Sequence, residues 1–181
     1  MSELPPPEPD AVPPVEVDVL REMAEEAARG LLALREAEGA RLEDDLKGRL
    51  EAMSASLDIV EARAPERLVR ERDRLREAVK ELSDQVEVDE DRLAREIAYL
   101  AEKWDINEEI VRFRSHLELF AEALSGDASA AVGKRLGFLV QEMHREANTL
   151  GSKANDAVIG EAAIAMKEEI ERVREQVENV E

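Results

Sequence analysis

Residues 134–156 read KRLGFLVQEMHREANTLGSKAND, and this stretch combines a packing pattern with a dense set of polar side chains. Its apolar residues recur every three or four positions, which places them along one side of an α-helix. They are Leu136, Leu139, Val140, Met143, Ala147 and Leu150. A second face carries Glu142, Arg145, Glu146, Thr149 and Lys153. The stretch therefore predicts a helix that packs along one face and presents polar groups along another.

Helical spacing continues upstream of this stretch. Apolar residues recur from Val15 to Val60, and Pro65 predicts a break, because proline lacks the N–H that a helix interior needs. The segment 15–64 is too narrow in its apolar face to fold alone, since isolated helices are marginal in water. We expect it to pack against the later helices or against other subunits. A further amphipathic helix is predicted over 66–82.

Further helix boundaries can be predicted from capping and turn residues. Asp89 is a predicted N-cap, and Asp105 followed by Glu108 has the spacing of a capping box. The helix that follows should end near Ser125–Gly126, and the next is predicted over 130–150.

After a polar break at 151–156, a last helix is predicted from Ala157 onward, and no strand alternation persists anywhere. We therefore predict an all-α fold in which long amphipathic helices form an elongated helical bundle. Residues 1–14 should be a proline-rich lead-in and residues 15–181 one helical domain.

Composition narrows the classes of function. The 181 residues include no cysteine, which excludes disulfides and thiolate metal sites. No apolar run approaches the roughly 20 residues that cross a bilayer, and no signal peptide is visible, so we expect a soluble cytoplasmic protein without a membrane partner. The net charge of −19 disfavours nucleic-acid binding, which normally uses clustered Lys and Arg. Residues 134–156 are an exception, with four bases against three acids.

The polar face contains the elements of a metal and phosphate site. Glu142 and Glu146 are one helical turn apart and can bind one hard divalent cation, Mg or Mn. Arg145 and Lys153 can bind a phosphate on the same face. The structural alternative is an ordinary interhelical charge network, because such networks often resemble functional sites.

A second group lies in EEIVRFRSHLELF, residues 108–120. Glu109, Arg112 and His116 are spaced to share one helix face, and an imidazole beside a carboxylate can act as general acid or base. A lone histidine on a helix is nevertheless more often structural. With only two histidines in the chain, an oxygen-ligated magnesium or manganese ion fits better than a histidine-rich zinc site.

The order of residues in GFLVQEMHREANTLGSKAND, with DINEEIVRFRSHLELF upstream and MKEEIERVREQVENVE downstream, resembles the C-terminal region of the YicC/YloC endoribonuclease family. The resemblance covers roughly residues 15–181. Members of that family carry an additional N-terminal domain that this sequence lacks. We expect a truncated homologue, a gene with a misplaced start or an expressed fragment.

The resemblance implies a metal-dependent endoribonuclease that acts on single-stranded RNA and assembles as a homo-oligomer, a hexamer. Its matched positions are Glu108, Glu109, Arg112, His116, Arg135, Gln141, Glu142, Arg145, Glu146, Asn148, Thr149, Ser152 and Lys153. From their chemistry we assign four catalytic residues, His116, Glu109, Glu142 and Glu146, of which the three carboxylates are also the predicted metal ligands. The predicted RNA-binding residues are Arg112, Arg135, Arg145, Asn148, Thr149 and Lys153.

Two other interpretations stay open. In the first, His116 and a carboxylate assist attack by the 2′-hydroxyl of the RNA without metal chemistry. In the second, the chain is a structural or regulatory helical module, and the polar groups hold helices together. Low aromatic content favours the second, because RNA-binding surfaces often stack bases on aromatic rings.

Overall fold

Five helices make up the part of the chain that the computed structural model describes, which is residues 16–82, 89–126, 132–178 and 180. They are α1 (Val17–Leu82), α2 (Glu90–Lys103), α3 (Asn107–Ser125), α4 (Val132–Lys153) and α5 (Ala157–Val177). No strand occurs in these ranges, which confirms the predicted all-α fold. The proline-rich lead-in predicted at 1–14 lies outside the described residues.

The chain divides into two structural units, with the boundary between Arg41 and Leu42. In the first unit every described residue, from 16 to 41, is exposed. Seven of these side chains are large and apolar: Val17, Val19, Leu20, Met23, Leu31, Leu32 and Leu34. An apolar helix face of this kind needs a packing partner. That this face packs against other subunits stays a prediction.

The core of the second unit is organised around α4, which packs against both α3 and α5. All six apolar residues of the stripe predicted for this helix are buried. From α3 the core takes Phe113 and Phe120, and from α5 it takes Met166 and Ile170. The three-to-four-residue spacing in the sequence therefore gives the buried face of α4 correctly.

Within the second unit, α1 adds a further helix to the bundle. Its core residues, Leu46, Leu50, Met53, Leu57 and Val60, are all buried and repeat every three or four positions. Ion pairs flank this packed face. Arg49 Nη1 lies 3.1 Å from Glu169 of α5, and Arg114 Nη2 of α3 lies 2.6 Å from Glu61 of α1.

The break predicted at Pro65 is wrong, because α1 continues through it to Leu82. A proline inside a helix removes one backbone hydrogen bond and costs about 3 kcal/mol. Core packing continues on both sides of Pro65: Val60 and Arg67 are buried, and Ala64 packs partly against the core. This tertiary packing offsets the local cost and keeps one helix where the sequence predicted two.

The two predicted caps had different outcomes. Asp89 is confirmed as the N-cap of α2, since its side chain accepts a hydrogen bond from the N–H of Arg92 at 3.0 Å. The capping box of Asp105 and Glu108 is wrong. Asp105 accepts from the N–H of Asn107 at 2.9 Å, ahead of the helix, and the N-cap is Ile106, which makes no side-chain cap. Ile106 is buried, so its packing into the core fixes where α3 starts.

The connection between α4 and α5 is three residues long, and two of its residues shape the adjoining helix ends. Helix α4 extends to Lys153, three residues beyond the predicted end, and Asn155 takes a left-handed conformation with φ of 44°. Asparagine tolerates this conformation better than most residues, so it suits the end of a helix. Asp156 then caps α5 by accepting from the N–H groups of Val158 and Ile159 at 3.0 and 3.3 Å.

The Asp156 carboxylate also receives two guanidinium groups from α1, with Arg63 Nε at 3.2 Å and Arg70 Nη1 at 3.5 Å. Burial of this carboxyl group acts to raise its pKa. The N–H of Ile159 and the charge and hydrogen bond of Arg63 outweigh burial and hold the pKa below the ordinary value of 3.8. The charged form is therefore favoured in the folded state.

We predict that Asp156→Asn lowers the free energy of unfolding at pH 7 by about 1–3 kcal/mol, because it removes the charge but keeps an oxygen that can cap α5. A depressed folded pKa stabilises the fold above the unfolded pKa, and this contribution is lost as the pH falls through the folded value. The difference from wild type should therefore shrink below about pH 4. Urea unfolding between pH 2.5 and 7 measures it, with the exposed Asp44→Asn as control. A difference that does not vary with pH contradicts the prediction.

Candidate functional site

The α3–α4 packing brings one histidine and two carboxylates together. His116 of α3 and Glu142 and Glu146 of α4 each offer a ligand atom, and these atoms lie within 4.8 Å of one another. Glu142 and Glu146 are one turn apart on α4, as predicted, while His116 reaches them from the neighbouring helix. Such a set of one nitrogen and two oxygen donors has the composition of a divalent metal site. We call it the His116 cluster.

Burial distinguishes this cluster from ordinary surface charge. Glu146 is only 3% exposed, and His116 and Glu142 are half-buried. The Nδ1 atom of His116 is buried and has no hydrogen-bond partner among the described residues. Buried polar atoms are nearly always satisfied, so the missing partner of this ring nitrogen leaves it available to a ligand. The residues therefore fit a divalent cation.

The guanidinium groups of two arginines border the cluster. Arg112 contacts Glu108 on its own helix, and its Nη1 lies 3.8 Å from Glu146 across the helix interface. Arg145 lies at 4.0 Å from Glu142. Both arginines are exposed, so their remaining N–H groups face solvent and can bind an anion. Their placement agrees with the predicted phosphate-binding role, which stays a prediction.

Glu109, which the sequence offered as a third metal ligand, contacts the end of α4, and its role as a ligand stays a prediction. Its Oε1 lies 2.7 Å from the ammonium group of Lys153, two turns before His116 on α3, and it is not part of the His116 cluster. Lys153 also donates to the carbonyl of Asp105 at 3.3 Å. Glu109 is buried, and its Oε2 has no hydrogen-bond partner within the described ranges. The pair joins a buried carboxylate to a half-buried ammonium group, as in an ion pair that holds two helices together.

The remaining predicted residues lie on α4 and mostly bond within it. Thr149 donates its hydroxyl to the carbonyl of Arg145 at 3.1 Å, and the amide of Asn148 lies 3.1 Å from Nδ1 of His144. Ser152 donates to the carbonyl of Thr149 at 3.0 Å. Arg135 is exposed near the start of the helix, about 10 Å along the axis from Glu142. The structure therefore brings Arg112 and Arg145 to the cluster and leaves Arg135 farther along α4.

Sequence reasoning missed Arg67, which is 2% exposed and lies on the core side of α1. Its guanidinium donates to the carbonyl of Ala154 at 2.8 Å, to that of Lys153 at 3.5 Å and to that of Trp104. Burial lowers the pKa of Arg67 against the raising effects of Asp156 and Asp105. The available signal was its position, seven residues after Val60 on the apolar face of the helix.

We predict that Arg67→Met lowers the free energy of unfolding by about 2–4 kcal/mol, because carbonyl groups at two helix ends lose their donor. Methionine keeps much of the apolar stem and removes the cost of burying a charge, but the unpaired carbonyls outweigh that gain. Urea unfolding followed by circular dichroism measures the change. The control is Arg76→Met, which truncates an exposed arginine of the same helix and should have little effect. Equal losses in the two variants contradict the prediction.

None of the helices in the described parts of the chain combines the length and the apolar character that crossing a membrane requires.

The fold and the cluster together define an all-α protein with a histidine and two glutamates set between two packed helices. Residues 60–181 match the family model described as Endoribonuclease YicC-like, C-terminal. The chain therefore belongs to the YicC-like family, which confirms the resemblance seen in the sequence.

Two curated relatives extend the comparison beyond that range. The chain is 36% identical over 164 residues to a probable endoribonuclease YicC of Clostridioides difficile, an alignment that covers 90% of this chain and 55% of the relative. It is 35% identical over 150 residues to the protein of the same name in Haemophilus influenzae, which covers 83% of this chain and 51% of the relative. The chain spans about half the length of these relatives.

Proposed function

We propose that this chain is the helical module of a metal-dependent endoribonuclease that cleaves phosphodiester bonds of single-stranded RNA. The observation that carries the proposal is the convergence of His116, Glu142 and Glu146, with an unpartnered buried nitrogen on the histidine. Family membership and the names of the two relatives support cleavage of RNA. A single strand is flexible enough to bring one phosphate to a half-buried cluster between two helices.

In this proposal His116, Glu142 and Glu146 hold the cation. Manganese fits an imidazole with two carboxylates, and magnesium fits the carboxylate pair with water. When bound, the ion supplies Lewis acidity toward a phosphate oxygen and lowers the pKa of a water. We assign Glu109 to orienting Lys153, because these two groups are in direct contact.

The cationic residues bind the RNA phosphates. Arg112 and Arg145 stand beside the cluster and neutralise the negative charge of the scissile phosphate, which two carboxylates would otherwise repel. Arg135 lies toward the start of α4 and Lys153 at its end, and both suit flanking phosphates. Asn148 and Thr149 lie between Arg145 and Lys153 on α4 and extend this surface by one turn.

His116 has two alternative roles, and an experiment distinguishes them. As a metal ligand its ring nitrogen is occupied by the ion and does not move a proton. As a general acid or base it would assist attack by the RNA 2′-hydroxyl, and cleavage would then proceed without metal. Its proximity to two carboxylates on α4 favours the first role.

The proposal includes assembly into a homo-oligomer, the hexamer that the family resemblance implies, and a cytoplasmic location. The exposed apolar face of residues 17–34 is a surface through which copies of the chain can associate.

We predict that the purified chain cuts end-labelled single-stranded RNA in Mn²⁺, that EDTA abolishes cutting, and that Glu146→Gln reduces the rate at least about 100-fold through loss of a ligand. Glu118→Gln, which removes an exposed carboxylate of α3 outside the cluster, should cut like wild type. Gel separation of the products measures the rate and shows whether duplex RNA of the same sequence is spared.

Two outcomes would contradict this mechanism. Cutting that survives EDTA and leaves 2′,3′-cyclic phosphate ends would assign His116 to metal-free attack by the 2′-hydroxyl. Equal cutting by Glu146→Gln and wild type would place the active centre elsewhere in the chain.

A second prediction tests the metal site without using activity. Mn²⁺ at about 100 times its dissociation constant should stabilise the folded chain by about 2.7 kcal/mol, because only the folded state assembles the cluster. Thermal unfolding in Mn²⁺ and in EDTA measures the shift of the melting temperature. His116→Ala and Glu146→Gln should lose the shift, and Glu118→Gln should keep it. No shift in wild type, together with no cutting, would favour the structural module instead.

A further inference from the structure

The charge of α1 reverses in one segment. Residues 63–76 contain six arginines and three acids, a net of +3 in a chain whose net charge is −19. The arginines are Arg63, Arg67, Arg70, Arg72, Arg74 and Arg76. The last four of these are exposed. A local excess of arginine on an otherwise acidic protein is the electrostatic footprint of a polyanion site.

The ion pairs of these exposed arginines leave them able to bind a phosphate. Arg72 pairs with its neighbour Asp73 at 2.7 Å, and Arg74 lies 3.5 Å from Glu71. Exposed pairs of this kind contribute little and exchange readily. Arg76 makes no ion pair within the described ranges. Arg72 and Arg76, one helical turn apart, share one face of α1, and their N–H donors remain for phosphate oxygens.

An apolar groove of about 200 Å³ opens beside Arg72, between α1 and α2. Its lining includes Leu68, Val69, Arg72, Leu75, Ile97 and Trp104. Trp104 is the only tryptophan of the chain, is half-buried and lines the groove. The groove thus combines aliphatic walls with two groups, an indole and a guanidinium, on which nucleobases stack.

The groove is connected to the candidate site through one buried residue. Arg67 donates to the carbonyl of Trp104 and to the carbonyls of Lys153 and Ala154 at the end of α4. Lys153 in turn contacts Glu109, which lies about 10 Å along α3 from His116. The groove therefore lies at the end of the bundle where α3 begins and α4 finishes.

We propose that this groove is a base-binding subsite for single-stranded RNA, in which a base stacks on Trp104 while Arg72 and Arg76 bind the adjacent phosphates. The inference rests on the proposed function, because it takes RNA as the substrate. Charge selects RNA over an apolar peptide: Arg72 at the groove and Arg76 one turn beyond it complement phosphates and contribute nothing to an uncharged partner. The subsite positions the strand and takes no part in the chemical step.

The experiment measures RNA binding in EDTA, so that neither metal nor cleavage enters. The single tryptophan permits a direct readout, since stacking of a base on Trp104 quenches its fluorescence. We expect oligouridylate to quench it, and we expect polyphosphate, which has charge but no bases, to bind without quenching. Fluorescence anisotropy of a labelled oligonucleotide gives the affinity and its salt dependence.

Substitutions test the two parts of the subsite separately. Trp104→Leu should weaken binding about tenfold, and Trp104→Phe should restore most of the affinity because a ring face remains. Arg72→Gln and Arg76→Gln should each reduce the slope of log affinity against log salt by about 0.7, the contribution of one phosphate contact on a single strand. Arg95→Gln, an exposed arginine of α2 that does not line the groove, is the matched control and should leave both quantities unchanged.

The outcomes separate this inference from the proposed function. The subsite is overturned if oligouridylate does not quench Trp104 and if Trp104→Leu, Arg72→Gln and Arg76→Gln keep the wild-type affinity and salt slope. This holds even if Glu146→Gln abolishes cutting. Quenching by oligouridylate in a chain that never cuts supports the subsite while the catalytic proposal fails. If Trp104→Leu changes only the sedimentation of the protein, the groove is an interface between copies and the inference is wrong. Circular dichroism confirms that each variant is folded.

Discussion

The arrangement around the candidate site depends on the hydrogen bonds that the buried guanidinium of Arg67 donates. This group lies against the carboxyl ends of α2 and α4, where the carbonyl groups of Trp104, Lys153 and Ala154 accept its N–H groups. A charge buried without a carboxylate in direct contact is costly, and the partial negative charge at two helix ends compensates for that cost. This contact fixes where α4 stops, and so fixes Lys153 against Glu109. The connections from α2 to α3 and from α4 to α5 thus meet at one residue of α1.

Much of the fold follows from local patterns. The apolar spacing of α4 predicted its buried face, and Asp89 predicted the start of α2, because both depend on side chains close in sequence. Pro65 and the Asp105–Glu108 pair misled for the opposite reason: core packing around Val60 and Arg67 keeps α1 continuous, and the buried Ile106 sets the start of α3. Tertiary contacts determine both the continuity of α1 and the start of α3, and such contacts cannot be read from a single sequence.

The candidate site was predictable in its residue types but not in its pairings. Glu142 and Glu146 could be assigned to one face because one helix determines their spacing. Glu109 and His116 also share a face of α3, and their spacing gave no reason to prefer either as the partner of Glu146. The antiparallel alignment of α3 and α4 decides which residue faces Glu146. Near the start of α3, Glu109 contacts Lys153 at the end of α4, and farther along α3, His116 lies beside Glu142 and Glu146.

This alignment also limits how the gene can vary. Each added or removed residue turns the following part of a helix by about 100° and advances it by about 1.5 Å. One deletion between Glu109 and His116 would carry the imidazole off the interface while Glu109 kept its contact with Lys153. Substitutions outside the paired residues leave this alignment intact, but the number of residues between Glu109 and His116 cannot change. Insertions and deletions should be rare there among functional descendants, even where substitutions accumulate.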